Sequence, residues 1–350
     1  MSLPDLTPSD NASLDILIDV HVDEATLIEL RRRCSVRPII MDEIADQKAI
    51  ERPRALIENC GICFCTYPPA NLDEMRELAF IQIASSGYSQ LSGLMLPSRG
   101  IRACNARGVF DTAIAEWNIA MMVAMARRLP EMLSNQRRGI WDRSARFQTE
   151  IRGATVGLWG YGGIARQTAR LCKALGLTVH VLSRSPIATI DEVYRVAGSG
   201  DIDGSLPDRV FTYDQQAEFL GGLDFLVLCM PLTPATKGIV NSDHLHMLPK
   251  SAFLLNPARG PLVDEHALVA ALRERSIAGA ALDTHYYYPM PSEHPLWSMD
   301  NVILTPHIAG SSESPFFLKR IWELFAENVS RFTEGAPLLN ELTSEQLNSA

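Results

Sequence analysis

Lysine is scarce in this chain. Only five of its 32 lysine and arginine residues are lysine (Lys48, Lys173, Lys237, Lys250 and Lys319), and 41 acidic residues outnumber both types together. A formal charge of -9 leaves no broad basic surface. Neither nucleic acid nor an anionic membrane is therefore expected as a main partner. A small anion stays open, because a local arginine pocket survives an acidic average. Long apolar runs are also missing, and none reaches the roughly 18 residues that a membrane-spanning helix needs. The seven cysteines are odd in number and scattered, which excludes a disulfide scaffold. With no secretory segment read at the start, the expected compartment is the reducing cytoplasm. Cys60, Cys63 and Cys65 bunch together, but no fourth thiol or histidine follows at ligand spacing, so they read as core residues and no metal site is expected.

What remains is ample material for a folded interior. The 350 residues are 47% hydrophobic, too many for one ordinary core and comfortable for two. Residues 1–13 are polar and read as a loose tail. Short apolar strands are expected at Ile16–Val20, Arg54–Ile57, Ile62–Thr66, Phe80–Ser85 and Ile101–Cys104, with helical or polar stretches between them. That rhythm belongs to a parallel sheet with crossovers. A long helical pattern, Thr112–Leu133, is broken near its end by Pro130 and is apolar enough to lie at a domain or subunit boundary. The second half repeats the rhythm more regularly. Strands are expected at Thr155–Trp159, Thr178–Leu182, Asp224–Cys229, Ala252–Leu255, Gly279–Leu282 and Asn301–Leu304, and a last helix at Pro315–Thr333. Ser199–Arg209 reads as a surface loop of unusual length.

One glycine pattern carries chemistry. Gly157-Leu-Trp-Gly160-Tyr-Gly162-Gly-Ile-Ala165 joins a strand to a helix. Gly160 permits the tight turn, Gly162 lets the backbone approach a pyrophosphate, and Ala165 allows close helix packing. Free amides at the helix start then face the phosphates. The next strand ends in Ser183-Arg184-Ser185, where an NAD site usually carries an acidic residue for the ribose hydroxyls. Without that carboxylate a 2′-phosphate is not repelled, and Arg184 can bind it, so NADP is the favoured cofactor. NAD remains the alternative, with Ser183 serving the ribose and Arg184 facing adenine or water.

Three further segments fall where strands of the second half end: Leu255–Gly260 with Arg259, Leu282–Pro289 with Asp283 and His285, and Thr305–Gly310 with His307. Ligands gather beyond the carboxyl ends of such strands. An arginine forks onto a carboxylate and a histidine exchanges a proton near neutral pH. Together they suit hydride transfer to a 2-oxo acid or from a 2-hydroxy acid, although any one alone could be structural.

From about residue 55 to 340 the chain resembles the D-isomer-specific 2-hydroxyacid dehydrogenases. The likeness rests on six segments in family order: Gly100–Asn105, Ile114–Glu116, Gly157–Ala165, Met230–Thr236, Asn256–Gly260 running into Leu262–Glu265, and Thr305–Gly310. The resemblance implies an α/β protein of two domains with a cleft between them. One is a Rossmann-type NAD(P)-binding domain at residues 117–317. The other is a flavodoxin-like substrate domain built from residues 1–116 and about 318–350. It implies a homodimer joined through the cofactor domains, near the helix Ala113–Leu129 and the arm containing Trp141. Arg259 would orient the substrate carboxylate and His307 would be the acid/base. Ser86, Gly87, Tyr88 and Phe110 would border the substrate. The cofactor would lie on Gly160, Tyr161, Gly162, Gly163, Ile164, Ser183, Arg184, Met230, Pro231, Thr236, Pro257, Ala258, Arg259, Asp283, His307, Ala309 and Gly310.

Two departures stand out. The family usually pairs its histidine with a glutamate just before a proline, and Tyr288 stands there instead. A neutral phenol can orient His307 by a hydrogen bond but cannot stabilise imidazolium, so a lower histidine pKa is expected, with His285 as a conceivable substitute partner. Formate dehydrogenases share the missing glutamate and the Pro-x-Pro-x-x-His-Pro run at Pro289–Pro295, yet Phe110 stands where their formate-holding asparagine falls. The main reading is an NAD(P)-dependent reductase of glyoxylate- or hydroxypyruvate-like acids. A weakly active or inactive NAD(P)(H) sensor is its rival, and a formate dehydrogenase ranks behind both.

Overall fold

The computed structural model describes residues 13–45, 48–144, 148–190 and 193–349. Apart from Ser13, the expected N-terminal tail lies outside them. The chain forms two compact units. One runs to Val109, takes in Tyr194 and resumes at Ser312; the other spans Phe110 to Ser311 except for that short excursion. Both boundaries fall a few residues before the expected 116/117 and 317/318. The helix Asp111–Ala126 packs along the helix Gly163–Ala174, which assigns it to the second unit from its first turn.

The first unit holds a five-stranded sheet of β1 (Leu14–Asp19), β2 (Val36–Ile40), β3 (Ile62–Cys65), β4 (Phe80–Ile83) and β5 (Arg102–Cys104). Their order is β2-β1-β3-β4-β5, and every pair is parallel. This is the flavodoxin-like order. β3 and β4 are buried throughout, as strands covered on both faces must be. Cys60, Cys63 and Cys65 are wholly buried there. The helix Pro315–Thr333, expected to be the last but followed by a short one at Ser344–Ser349, returns to this unit, stacking Phe325 on Phe64 with ring centroids 4.1 Å apart. Beside it, Asn328 donates to the Gln82 Oε1 at 2.8 Å.

Two expectations fail in this unit. Arg54–Ile57 is a helical turn, closed by the Glu58 amide on the Arg54 carbonyl. Conversely β2 was not expected, because Pro38 interrupts its pattern; at a sheet edge the missing N–H costs no ladder bond.

The second unit holds seven parallel strands: β6 (Thr155–Trp159), β7 (Thr178–Leu182), β8 (Arg209–Phe211), β9 (Phe225–Leu228), β10 (Phe253–Asn256), β11 (Gly279–Leu282) and β12 (Val302–Leu304). Their order is β12-β11-β10-β9-β6-β7-β8, a Rossmann-type sheet whose order reverses at β6. β8, also unexpected, is a three-residue edge strand that takes the end of the predicted loop. The long helical pattern divides into Asp111–Ala126 and Leu129–Arg137 at Arg128, whose φ is +51°. Pro130 then sits in the first turn of the second helix, where its missing N–H is harmless. Among the described residues, no helix is long and apolar enough to cross a membrane.

Candidate active site

The glycine turn leaves β6 at the reversal of strand order. Gly160 has φ +96°, and a Cβ there would stand 2.9 Å from the Cys229 carbonyl oxygen. Gly162 differs: a Cβ would meet nothing within 4 Å. The space above its backbone is open, and among the described residues the amides of Tyr161 and Gly162 donate to no protein acceptor. Open space over free amides at a helix start fits a pyrophosphate. Gly163 serves packing, since a Cβ would lie 2.0 Å from the Asp111 carboxylate. Ala165 is buried under the helix, as expected. Ile164 follows in the first helical turn.

At the end of β7, Ser183 donates its hydroxyl to the Ser185 carbonyl at 2.7 Å, leaving lone pairs for a ribose hydroxyl. Arg184 is exposed and makes no ion pair among the described residues. Beyond β9, Met230 is buried and Pro231 exposed. Thr236 locks that loop, donating to the Pro231 carbonyl at 2.7 Å and accepting from the Thr233 amide at 2.8 Å.

The strand-end residues of β10, β11 and β12 come together. The buried Asn256 holds the arginine turn: its Oδ1 accepts from the Ala258 and Arg259 amides, and its Nδ2 donates to the Arg259 carbonyl at 2.8 Å. Pro257 is buried between them, while the Arg259 side chain is exposed and forms no ion pair among the described residues. Asn256 was not among the expected site residues. An asparagine two and three residues before the amides it caps was the available signal.

His307 sits in the left-handed region at φ +59°, a conformation that costs a non-glycine residue about 1 kcal/mol or more. Asp283, 1% exposed, holds it there. Its Oδ1 accepts from the Thr305 hydroxyl at 2.6 Å and the Ile308 amide at 2.9 Å, its Oδ2 accepts from the Ala309 amide at 3.0 Å, and its carbonyl takes the His307 amide at 2.7 Å. Gly310 closes the loop against Phe110, whose ring would lie 2.9 Å from an added Cβ. Phe110, expected beside substrate, is thus a neighbour of the histidine loop.

The structure corrects the expected role of Tyr288. Its hydroxyl accepts from the His285 amide at 3.2 Å and makes no hydrogen bond to His307. It meets His307 by ring contact alone, with centroids 5.6 Å apart. The turn folds the phenol tip back onto its own chain, which leaves a tilted ring contact with the histidine. Nor does His285 replace the absent glutamate: its Nε2 donates to the Thr305 carbonyl at 2.8 Å. The His307 pKa is lowered, first by partial desolvation, then by the Arg259 charge, with Asp283 opposing and His285 adding to the decrease. The direction agrees with expectation, but partial desolvation of this otherwise exposed side chain is the leading cause.

In the first unit, Ser86, Gly87 and Tyr88 follow β4. Their three amides donate to no acceptor among the described residues, a geometry suited to an anion. The Asn105 Nδ2 fixes the loop by donating to the Ser86 carbonyl at 2.8 Å.

The chain is similar to known proteins. Residues 119–309 match the family model described as D-isomer specific 2-hydroxyacid dehydrogenase, NAD binding domain. The chain is 33% identical over 268 residues to a glyoxylate reductase of Thermofilum pendens, covering 75% of this chain and 74% of that one. It is 31% identical to a D-3-phosphoglycerate dehydrogenase of Methanocaldococcus jannaschii, covering 75% of this chain but 47% of the longer relative. Among solved structures, a D-isomer specific 2-hydroxyacid dehydrogenase from Xanthobacter autotrophicus Py2, in complex with NADPH and MES, superposes with a TM-score of 0.71 at 26% identity. That likeness covers 95% of this chain and 98% of the other.

Proposed function

The chain belongs to the D-isomer-specific 2-hydroxyacid dehydrogenase family, and from that premise we propose that it reduces a small 2-oxo acid, of the glyoxylate or hydroxypyruvate kind, to the D-2-hydroxy acid, and catalyses the reverse. Its cofactor is NAD(P), and we take NADPH as the preferred reductant because Arg184 stands exposed, with no ion pair among the described residues, where an acidic residue would repel a 2′-phosphate. The observation that carries the proposal is the strand-end cluster: an arginine with no ion pair among the described residues, its backbone held by Asn256, beside a histidine held by Asp283.

The bound reduced nicotinamide supplies a hydride. Arg259 orients the substrate carboxylate and polarises the carbonyl. Protonated His307 gives its proton to the oxygen as negative charge develops there. In oxidation, neutral His307 accepts that proton. Because Arg259 and desolvation favour the neutral imidazole, reduction is the more acid-dependent direction. Tyr288 touches the His307 ring at a tilt without adding charge. The amides of Ser86, Gly87 and Tyr88, without acceptors among the described residues, belong to the same proposal as an anion-binding loop of the first unit, and Phe110 as an apolar neighbour of the histidine loop. Cytoplasmic location and a homodimer joined through the second unit are also part of it. Exposed Leu129, Leu133, Ile140 and Trp141 support that joint, as does a recess of about 1090 Å3 at the amino ends of the strands, lined by Met125, Phe225 and Trp297.

A panel of 2-oxo acids from glyoxylate to phenylpyruvate, followed by loss of reduced-cofactor absorbance, tests the proposal. D-2-hydroxy acid product from the wild type and none from Arg259→Ala are expected. Tight cofactor binding without turnover anywhere in the panel would favour the sensor reading instead.

A further inference from the structure

The loop between β7 and β8 does more than connect them. Asp201, near its middle, is only 5% exposed, and so is Arg166 in the first turn of the helix Gly163–Ala174. The Tyr161 hydroxyl donates to the Asp201 Oδ2 at 2.6 Å. The same carboxylate accepts from the Ser205 and Leu206 amides at 3.1 and 3.2 Å, which folds the loop around it. Arg166 donates its Nε to the Tyr161 carbonyl at 3.3 Å and its guanidinium to the carbonyls of Ala188, Asp201 and Ile202, while lying 5.0 Å over the Tyr161 ring. The Gln167 side chain accepts from the Gly200 amide at 2.6 Å, and Arg170 donates to the Gly200 carbonyl at 3.0 Å.

Tyr161 is the sole residue of the turn 160–163 with a side chain, the other three being glycines. Glycine loses the most conformational freedom when it is fixed. A turn of this composition, left to itself, samples many conformations, and a ligand that needs one of them bears that ordering cost on binding. Here the single available handle is gripped at both ends: its hydroxyl by a buried carboxylate, its carbonyl by a buried guanidinium. Burial also raises the Tyr161 pKa, with the bond to Asp201 reinforcing it, so the phenol stays a donor at any physiological pH.

We propose that Asp201 and Arg166 are positioning residues for the cofactor: through Tyr161 they hold the glycine turn in its pyrophosphate-binding conformation before the cofactor arrives. This rests on the reading that the pyrophosphate lies on the Tyr161 and Gly162 amides. The device acts on the part common to both cofactors, so NADPH and NADH gain equally from it.

The test is equilibrium binding of NADPH and of NADH to the full chain, by quenching of protein fluorescence, with amide hydrogen exchange of the free protein alongside. Tyr161→Phe removes the donor and leaves Asp201 its two loop amides. Asp201→Asn removes the charge. Loss of a charge-assisted hydrogen bond predicts a Kd raised about tenfold for both cofactors in either variant. The double variant should be little worse than the singles. Faster exchange of the Gly160 and Arg166 amides, which bond to the Leu182 and Gly162 carbonyls in the wild type, is expected in the free variants, and for Asp201→Asn a raised cofactor KM with kcat retained. Unchanged Kd values in both variants would overturn the proposal, as would a loss confined to NADPH, which would place the loop's action at the ribose phosphate. Gly162→Val tests the underlying reading separately. A Cβ there meets nothing within 4 Å, so a stable Gly162→Val protein that binds cofactor like the wild type would show that the pyrophosphate lies elsewhere.

Discussion

Replacing Asp283 with asparagine should separate the placement of His307 from its chemistry. In the wild type one buried carboxylate satisfies the Thr305 hydroxyl and the Ile308 and Ala309 amides, and so holds His307 at φ +59°. Asparagine keeps one acceptor oxygen but turns an NH2 group toward the Ala309 amide. One hydrogen bond is lost and two donors face each other, at a cost of about 1–3 kcal/mol. If that energy holds the histidine loop, reductive kcat falls roughly 5- to 150-fold. Charge adds a second effect of definite sign. Asp283 raises the His307 pKa against desolvation and Arg259, so its neutralisation lowers that pKa further. The protonated fraction at neutral pH then shrinks, and the residual activity should retreat to more acid pH. Initial rates of 2-oxo acid reduction at saturating cofactor, from pH 5 to 8.5, read both effects. An unchanged rate and profile in a well-folded Asp283→Asn protein would refute the reasoning.

Arg184→Ala should raise the KM for NADPH about tenfold, through loss of a charge-assisted contact, and leave that for NADH nearly unchanged; equal changes for both would remove Arg184 from the ribose phosphate. Tyr288→Glu places a carboxylate against the His307 ring, and its pKa should rise by about a unit. The fall of reductive activity with pH then moves to higher pH, whereas a stationary profile would mean that position 288 does not address His307. In the first unit, Arg52 and Asp19 form an ion pair at 2.7 Å with side chains 6% and 0% exposed. Arg52→Ala strands a buried carboxylate and should cost about 3–5 kcal/mol in urea unfolding; an unchanged midpoint would contradict that value.

The sequence was most legible where both faces of a strand are covered. Thr155–Trp159, Thr178–Leu182 and Gly279–Leu282 are apolar runs bounded by turns, and they fold with the expected limits. Edges were illegible. β2 carries a proline, β8 has three residues, and neither shows the continuous burial that marks an inner strand. Arg54–Ile57 is a short apolar run that fits strand and helical turn alike. At the site, residue types pointed to Arg259 and His307, but their support did not show. The three bonds to Asp283 join residues more than twenty apart, and the Tyr288 hydroxyl turns to a nearby amide that no residue-type argument selects over the histidine. Asp201 is the extreme case. In sequence it is one aspartate in a polar loop, and only the fold sets it against Tyr161.

The most direct measurement is the pH dependence of kcat/KM for reduction of glyoxylate or hydroxypyruvate by NADPH, in the wild type and in His307→Gln. The lowered pKa of His307 predicts wild-type activity that declines with rising pH through an apparent pKa below the ordinary histidine value of about 6.5. In His307→Gln the decline should vanish along with most of the rate. A His307→Gln protein that turns over like the wild type, with the same pH profile, would contradict the assignment of the proton to this histidine.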